Sequence, residues 1–353
     1  MAPIDAPNTL TASAPTADSS ESSSAAAETL PLPAWQKAVR DAVRDPAELA
    51  RLLELGPDAL PTSPQPAFPL LVPRGFVARM RRGDPADPLL RQVWPLREEL
   101  DGVPGFTRDP VREHSLAADG VIRKYPGRAL LVASATCPVH CRYCFRRDFP
   151  YPSQLAARGD WEAAVAALSG TARDAREVIL SGGDPLSLSN RRLGEIFAKL
   201  ADTAVATVRV HTRFPIVVPE RIDAGLLEII GRSPQRVVVV VHCNHANEID
   251  ASVHERLLRL RPRVAALLNQ SVLLRGVNDE PRALAALSER LFDSGVLPYY
   301  LHLLDRVAGA AHFDVSESTA VGIVAELRAR LPGYLVPRLV RETPGELSKT
   351  PVA

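Results

Sequence analysis

The chain contains 353 residues with a formal net charge of +1, and 46% of the residues are hydrophobic and 24% charged. This composition is typical of a globular protein with a sizeable core, and the near-zero charge gives no indication of a nucleic-acid or membrane-surface partner. Apolar runs such as Val237–Val241 are far shorter than the ~20 residues that a membrane helix needs, so we predict neither nucleic-acid nor membrane binding.

The N-terminal segment differs in composition from the rest of the chain. Residues 1–30 are rich in Ala, Ser, Thr and Pro, and such a segment cannot bury enough apolar surface to offset its chain entropy. We therefore predict a disordered tail. A transit peptide is the alternative, but the segment contains no Arg. We also expect no secretory leader, because no charged-then-apolar pattern opens the chain.

Helical signals follow in residues 31–120. A first helix is predicted from Trp35, with Val39 and Val43 on the same face, and a second directly after Asp45, which has the character of an N-cap. The rest of this region is rich in proline and irregular. We interpret residues 31–120 as a helical N-terminal layer that is not an independent catalytic unit.

Residues 121–353 alternate between short apolar runs and helical stretches. The runs are rich in β-branched residues, and their alternation with helices indicates βα units and a parallel sheet. We therefore predict the α/β class, as an open or partial (β/α) barrel of about six units, with functional residues where strands end and loops begin. The predicted strands are Ala129–Ala133, Glu177–Leu180, Ala206–Val210, Arg236–His242, Ala265–Leu274 and Leu297–Leu303.

A cysteine cluster follows the first of these strands. Cys137, Cys141 and Cys144 are separated by three and by two residues. Thiolates are the usual ligands of iron–sulfur clusters, and a loop this short can wrap three of them around one cluster. Three local thiolates leave one iron open for a small molecule, as in catalytic zinc sites with an open position. The alternatives are a structural zinc site with His140 as fourth ligand, and buried thiols without a ligand.

The cysteine loop resembles a known signature. Cys-x3-Cys-x2-Cys, with Tyr143 before the last cysteine, is similar to the motif of the radical S-adenosylmethionine superfamily. The resemblance implies a (β/α)6-type partial barrel and a [4Fe–4S] cluster. The open iron of that cluster chelates S-adenosyl-L-methionine, which is cleaved to a carbon radical. The resemblance also implies that Gly182, Gly183 and Asp184 meet the methionine amino group, because glycine lets backbone carbonyls approach an ammonium.

The C-terminal segment narrows the resemblance. Lys349 is followed by Thr-Pro, which resembles the tail of lysine 2,3-aminomutases, where a lysine binds pyridoxal 5′-phosphate as a Schiff base. The likeness covers most of residues 95–353. Further short matches, in the same order, are Lys124–Arg128, Cys144–Arg147, Val210–Arg213, Val241–His245, Asn269–Leu274 and Pro298–Tyr300.

This resemblance implies individual roles. Lys349 resembles the pyridoxal phosphate lysine, and Arg146 resembles the arginine that pairs with the substrate carboxylate. Asp305 resembles an aspartate that holds the distal ammonium of lysine, and Glu342 takes the place of a second one. Ordinary ion pairs or core polar groups are the alternative for each. Gln270 and His242 resemble residues that line the S-adenosylmethionine site. Tyr125 and Arg128 resemble residues of the pyridoxal phosphate pocket.

The implied activity is an isomerase that moves the amino group of free L-α-lysine from C2 to C3. The chain stops four residues after Lys349 and lacks the extra cysteines of clostridial members. In this it is similar to short bacterial members that make β-lysine, which a ligase attaches to elongation factor P. The alternatives are an aminomutase for glutamate or arginine and, from another class, a non-catalytic iron–sulfur or zinc protein.

Partners and compartment follow from the same reasoning. The resemblance implies a reducing electron donor of the flavodoxin or ferredoxin type, and it leaves a homo-oligomer open. Clustered thiols without a disulfide framework suit a reducing cytoplasm. The lone Cys243 follows a strand, and we interpret it as a buried small hydrophobe rather than a cluster ligand.

Overall fold

The computed structural model describes residues 32–56, 59–63, 68–114, 117–118 and 120–353. The predicted disordered tail, residues 1–30, lies outside the described residues. No helix in the described ranges is both long and apolar enough to cross a membrane.

Short helices form most of the regular structure that precedes the sheet. Asp45 caps the second helix as predicted, because its carboxylate accepts a hydrogen bond from the backbone N–H two residues on. The predicted helical face that ends at Val43 is wrong there. The first helix stops at Arg40, and Val43, a β-branched residue, pairs with Val72 in an isolated β-bridge. The helices are α1 (Ala34–Arg40), α2 (Pro46–Leu52), α3 (Arg74–Val77) and α4 (Pro88–Arg91).

A ten-stranded sheet follows, in which the spatial order of the strands is their order in the chain. The strands are β1 (Ala117–Ala118), β2 (Val121–Ile122), β3 (Arg128–Ser134), β4 (Glu177–Gly182), β5 (Thr207–Thr212), β6 (Arg236–His242), β7 (Ala266–Val272), β8 (Leu297–His302), β9 (Arg338–Arg341) and β10 (Thr350–Pro351). Strands β3 to β9 are parallel, whereas β1, β2 and β10 pair antiparallel at the two edges. No ladder joins β1 to β10 among the described strands, so the predicted partial barrel is confirmed.

Helices alternate with the parallel strands. They are α5 (Glu162–Ser169), α6 (Asn190–Ala201), α7 (Phe214–Val217), α8 (Ala224–Arg232), α9 (Ala251–Leu260), α10 (Pro281–Asp293) and α11 (Glu317–Arg330). In β5 and β7 buried residues alternate with half-buried ones, as expected for strands with one face in the core. The half-buried positions, which include His211 and Gln270, lie together on the opposite face. That face carries many of the polar side chains discussed below.

The sequence prediction missed four strands. β1, β2 and β10 have two residues each, which is too short to show a period of two. β9 has four residues and directly follows Pro337, and it adds a seventh parallel strand to the six predicted. This correction matters for the site because the segment that joins β9 to β10 carries Glu342 and Lys349.

Candidate active site

The three clustered cysteines lie on the loop that leaves the carboxyl end of β3. All three are free thiols of intermediate exposure. His140, the alternative zinc ligand, is engaged elsewhere: its Nδ1 lies 2.9 Å from the carbonyl oxygen of Pro69, and its ring stacks on Phe68. In the described part of the chain, no three His, Cys, Asp or Glu side chains are close enough to hold a single metal ion. A four-iron cluster makes a different demand, because each thiolate binds its own iron.

The surroundings of this loop affect the pKa values of its cysteine thiols. Burial raises the pKa of the Cys137 thiol well above its usual range and raises the pKa of Cys144 to about 11. Because the thiolate is the metal ligand, iron must displace a proton from each of these groups. Cys141 has a cationic neighbour, since Arg213 Nη1 donates to its Sγ at 2.6 Å.

Arg213 belongs to a buried polar network beside the cysteine loop. Its Nη1 also donates to the Tyr143 hydroxyl at 2.7 Å, and its Nη2 donates to Gln92 Oε1 at 2.7 Å and to Glu248 Oε2 at 3.1 Å. The Tyr143 hydroxyl lies 2.9 Å from His242 Nε2. Burial, together with Arg213, lowers the pKa of His242 to about 3, so this imidazole is neutral.

The glycines that end β4 pack against the start of the cysteine loop. Gly182 has φ +114°, and a Cβ there would lie 2.6 Å from the carbonyl oxygen of Ser134. A Cβ on Gly183 would lie 2.6 Å from the carbonyl oxygen of Thr136. Neither position therefore accommodates a side chain, because the loop backbone passes too close. These glycines hold the cysteine loop against β4, in addition to the ligand contact predicted for them.

Asp184 joins the ends of two strands. It is buried, and its carboxylate accepts hydrogen bonds from Thr212 Oγ1 at 2.8 Å and from the backbone N–H of Arg213 at 2.7 Å. Burial raises the pKa of Asp184 to about 6 despite these donors. Its oxygens are thus occupied by the end of β5 and the turn after it.

A second polar cluster begins at Arg146. The guanidinium is buried and pairs with the carboxylate of Glu113 through two hydrogen bonds, of 2.7 Å from Nε and 3.0 Å from Nη2. Its Nη1 donates to Ser181 Oγ at 2.9 Å. Burial would lower the pKa of Arg146, but Glu113 outweighs burial and raises it, so the arginine is charged.

Glu342, the acid of the C-terminal segment, accepts hydrogen bonds from two lysines. Glu342 Oε2 accepts from Lys349 Nζ at 2.7 Å, and Oε1 accepts from Lys124 Nζ at 2.8 Å and from the Tyr125 hydroxyl. Burial would raise the pKa of Glu342, but the two ammonium groups outweigh it and lower the pKa to about 2. Lys349 Nζ also lies 5.9 Å from the centre of the Tyr300 ring. The predicted cofactor lysine and the predicted second acid are therefore in direct contact.

Asp305 lies in the same electrostatic environment. Burial raises the pKa of Asp305 to about 7, Lys349 acts against this shift and Glu342 reinforces it. These couplings place Asp305 near both Lys349 and Glu342. The two acids predicted to hold an ammonium are thus close enough to affect each other's charge, and both are affected by the predicted cofactor lysine.

Comparison with known proteins identifies the family. No family model matches the chain. The L-lysine 2,3-aminomutase of Escherichia coli strain K12 is 45% identical over 322 residues, which cover 90% of this chain and 94% of that protein. The L-lysine 2,3-aminomutase of Haemophilus influenzae is 39% identical, with 90% and 94% covered, and that of Clostridium subterminale is 34% identical, with 78% and 67% covered. The chain belongs to the L-lysine 2,3-aminomutase family.

Solved structures show a more distant likeness. Streptococcus suis SuiB bound to S-adenosylmethionine is 11% identical, with a TM-score of 0.45 over 62% of this chain and 51% of that one. A radical SAM methyltransferase from Sphaerobacter thermophilus is 18% identical, with a TM-score of 0.44 over 63% and 68%.

In this member of the aminomutase family, two imidazoles with buried Nε2 atoms indicate where a ligand fits. His211 Nε2 and His302 Nε2 have no hydrogen-bond partner among the described residues. Burial lowers the pKa of both rings well below the usual range, and Lys349 contributes to both shifts, so the neutral rings lie near that lysine. An unpartnered buried polar atom costs about 1–3 kcal/mol. The residues around Lys349 therefore fit pyridoxal 5′-phosphate, whose ring and phosphate offer hydrogen-bonding groups.

The remaining predicted cofactor residues occupy different ends of the strands. Gln270 of β7 is half-buried and pairs in register with His242 of β6, near the carboxyl ends. Tyr125 precedes β3 and Arg128 is its first residue, so the prediction that functional residues lie where strands end is wrong for these two. Tyr125 nevertheless reaches Glu342, which lies 217 positions further along the chain. Tyr125 lies beside β3 near one edge of the open sheet and Glu342 directly follows β9 near the other, so the sheet curves until these two sides approach each other.

Sequence reasoning missed several residues of this site. Glu113 lies in an irregular segment without a motif, and no sequence signal marks it. Lys124 belongs to a matched motif, but nothing in the motif indicates its bond to Glu342. His211 lies on β5, where polar residues alternate with apolar ones, and this alternation could have indicated its position. His302 lies on β8, which shows no such alternation, so no signal of this kind marks it.

Proposed function

We propose that the protein is an isomerase that converts free L-α-lysine to β-lysine with a [4Fe–4S] cluster, S-adenosyl-L-methionine and pyridoxal 5′-phosphate. The observation that carries this proposal is the direct contact between Lys349 and Glu342, with Asp305 close by. Two acids beside the cofactor lysine suit a substrate with a cationic side chain. The names of the curated relatives support the same substrate.

The chain's own residues hold and orient the substrate in this proposal. Arg146 binds the α-carboxylate, and Asp305 and Glu342 bind the distal ammonium. When bound, S-adenosylmethionine on the cluster supplies the carbon radical that removes the unactivated C3 hydrogen, and pyridoxal phosphate supplies the π-system for nitrogen migration. Cys137, Cys141 and Cys144 hold the cluster, and Lys349 holds pyridoxal phosphate. Fixing both ends of lysine keeps C3 at one place, which is the main demand of the reaction.

The cofactor contacts are divided between the two halves of the site. Gln270 and His242 line the S-adenosylmethionine pocket beside the glycines Gly182 and Gly183, and Asp184 positions the end of β4 there. Tyr125 and Arg128 line the pyridoxal phosphate pocket. The support for the second assignment is the hydrogen bond from Tyr125 to Glu342 and the stacking of Arg128, whose guanidinium carbon lies 5.4 Å from the centre of the Tyr125 ring.

The charge of the acid pair discriminates among substrates. A glutamate side chain would bring a third carboxylate beside Asp305 and Glu342, and uncompensated like charges in a buried site cost several kcal/mol. Arginine carries the right charge but a larger head group, so it is the closest competitor. Glu342 is one methylene longer than the aspartate that the resemblance implies, which shortens the space left for the ammonium.

The wider role follows from the same proposal. β-Lysine made here serves the β-lysylation of elongation factor P by a ligase. Reduction of the cluster requires a donor of the flavodoxin or ferredoxin type. Three clustered free thiols require a reducing compartment, so we place the reaction in the cytoplasm.

An anaerobic assay tests the activity. Reconstituted, reduced protein is incubated with S-adenosylmethionine and L-lysine, L-arginine or L-glutamate, without elongation factor P, and β-amino acid products are measured. We expect β-lysine from free lysine and little product from the other two. Turnover of glutamate or only of a protein-bound lysine would refute the substrate assignment and leave the radical chemistry standing.

Reductive labelling tests the cofactor lysine independently of turnover. Borohydride treatment of protein loaded with pyridoxal phosphate should attach the pyridoxyl group to Lys349, as peptide mapping would show. Lys124 is the matched control, because its ammonium contacts the same carboxylate, Glu342. The Lys349→Ala protein should lose the label and the Lys124→Ala protein should keep it. Labelling of Lys124 in the unaltered protein would contradict the assignment.

A further inference from the structure

Glu113 is a buried carboxylate to which the proposed reaction assigns no role. Its side chain is 5% exposed, and both of its oxygens accept hydrogen bonds from Arg146. Its backbone N–H is itself held by Asp109 Oδ1 at 2.9 Å. Burial would raise the pKa of Glu113, but Arg146 and Lys124 outweigh burial and lower it, so the group is ionised. A two-bond pair with an ionised carboxylate fixes the plane of a guanidinium.

The donors of Arg146 show what is left for a substrate. A guanidinium has five N–H donors. Two are used by Glu113, and Nη1 donates to Ser181 Oγ at 2.9 Å and to the carbonyl oxygen of Gly182 at 3.4 Å. Four of the five donors are therefore used, and a single hydrogen on Nη2 remains. Any carboxylate that Arg146 binds must lie in the direction of that hydrogen, and Glu113 sets the direction.

Lys124 connects this end of the site to the other. Its Nζ lies 3.3 Å from Glu113 Oε1 and 2.8 Å from Glu342 Oε1. Glu113, which pairs with the carboxylate-binding Arg146, and Glu342, one of the two ammonium-binding acids, therefore contact the same cation, Lys124. This arrangement keeps a fixed spacing between the two ends that hold an amino acid.

We propose that Glu113 is a positioning residue for substrate binding, which aims the remaining Nη2 hydrogen of Arg146 at the α-carboxylate. The proposal rests on the proposed function only in that Arg146 binds the carboxylate of an amino acid. Glu113 touches neither substrate nor cofactor in this role and acts through Arg146. A residue with this role should affect ligands that carry the carboxylate and should not affect ligands that lack it.

The test compares L-lysine with L-lysinamide, in which the carboxylate is a neutral amide. Binding is measured at equilibrium from the absorbance change of enzyme-bound pyridoxal phosphate, without S-adenosylmethionine, so that turnover is not required. For Glu113→Gln we expect about tenfold weaker binding of lysine and less than about twofold change for lysinamide. Glu113→Asp keeps the charge and should restore part of the lysine affinity. With the complete enzyme, KM for lysine should rise more than kcat falls.

Glu317→Gln is the matched control. Glu317 pairs with Arg341, the neighbour of Glu342 in sequence, but it is 54% exposed and lies outside the site. This variant should bind both ligands as the unaltered protein does. If Glu113→Gln does not fold, the comparison is made with Glu113→Asp, whose smaller loss should again be confined to lysine.

Two outcomes would overturn the proposal. Equal weakening of lysine and lysinamide would show that Glu113 has only a structural role, and unchanged binding of both would show that it does not orient Arg146. Failure of the proposed function is distinguishable, because the unaltered protein would then not bind lysine. In that case the same pair of measurements is made with glutamate or arginine and the corresponding α-amide, since Arg146 would bind the carboxylate common to all amino acids.

Discussion

Two buried polar regions of this protein differ in how completely their side chains are paired. Beside the cysteine loop, Arg213 bonds through both terminal nitrogens while its Nε has no partner in the described structure, and Glu248, which is fully buried, accepts one of these bonds. Around Lys349, Asp305 has a pKa of about 7, and His211 and His302 present ring nitrogens without partners in the described structure. The first region is largely complete without a ligand, whereas the second has polar groups that a ligand must satisfy.

The difference indicates that one region contributes mainly to stability and the other mainly to ligand binding. The network around Arg213 supports the cysteine loop, so its loss should cost stability and cluster binding together. The groups around Lys349 should matter less for folding and more for cofactor and substrate, because a protein can tolerate a few unsatisfied groups where a ligand supplies their partners. Three changes test this comparison, from the largest expected effect to the smallest.

The largest effect is expected at the cysteines. Replacing Cys137, Cys141 or Cys144 by Ala should abolish the cluster, because each of these thiolates binds its own iron and the remaining iron has no thiolate. The unaltered protein should contain about four irons per chain after anaerobic reconstitution, measured as iron and sulfide content. Cys243→Ala is the control, since Cys243 is buried in the hydrophobic core as predicted. Loss of iron in the Cys243→Ala protein would contradict the ligand assignment.

The next effect concerns stability. Glu248→Gln leaves the buried Arg213 cation without its carboxylate, and breaking a buried ion pair costs about 3–5 kcal/mol. We expect a loss of this size in the free energy of unfolding, measured in urea on the cluster-free protein. Asp305→Asn should not destabilise that protein, because its carboxylate is already costly to ionise. Equal losses in the two variants would remove the distinction between the regions.

The smallest effect is a pH dependence of substrate binding. Burial raises the pKa of Asp305 from its ordinary value to about 7, so the neutral acid predominates below that pH. An ammonium binds the ionised form, and lysine affinity should therefore rise as pH increases through about 7 and level off above it. Asp305→Asn should bind lysine more weakly, by about 2–5 kcal/mol at high pH, and should lose this pH dependence.

Equilibrium titration of pyridoxal-loaded protein with L-lysine between pH 5.5 and 8.5, roughly one and a half pH units on either side of the midpoint, would measure the last effect. Glu342 serves as the internal contrast, because its pKa of about 2 keeps it ionised over the whole range. An unchanged pH profile in Asp305→Asn would assign the titration to another group.

Local signals in the sequence were sufficient to predict the fold of the protein. The β-branched run of β6 and the alternation of strands with helices predicted the parallel partial barrel, and the boundaries of β6 agree with the prediction at both ends. The cysteine spacing and the Lys349 tail identified the family, because both are contiguous and carry their chemistry within a few residues. Burial of Cys243 was also predicted correctly, since small apolar residues after buried strands favour the core.

Only the tertiary structure decided how the charges of the site are paired. Arg146 bonds to Glu113, 33 positions away, and Lys124 bonds to Glu342, 218 positions away. An acid or a base in a sequence has no marked partner, because its pairing depends on which strand edges and loops the fold brings together. Strands of two to four residues show no periodicity either, so β9 and β10, which carry the Lys349 segment, emerge only from the pairing of β9 with β8 and of β10 with β9.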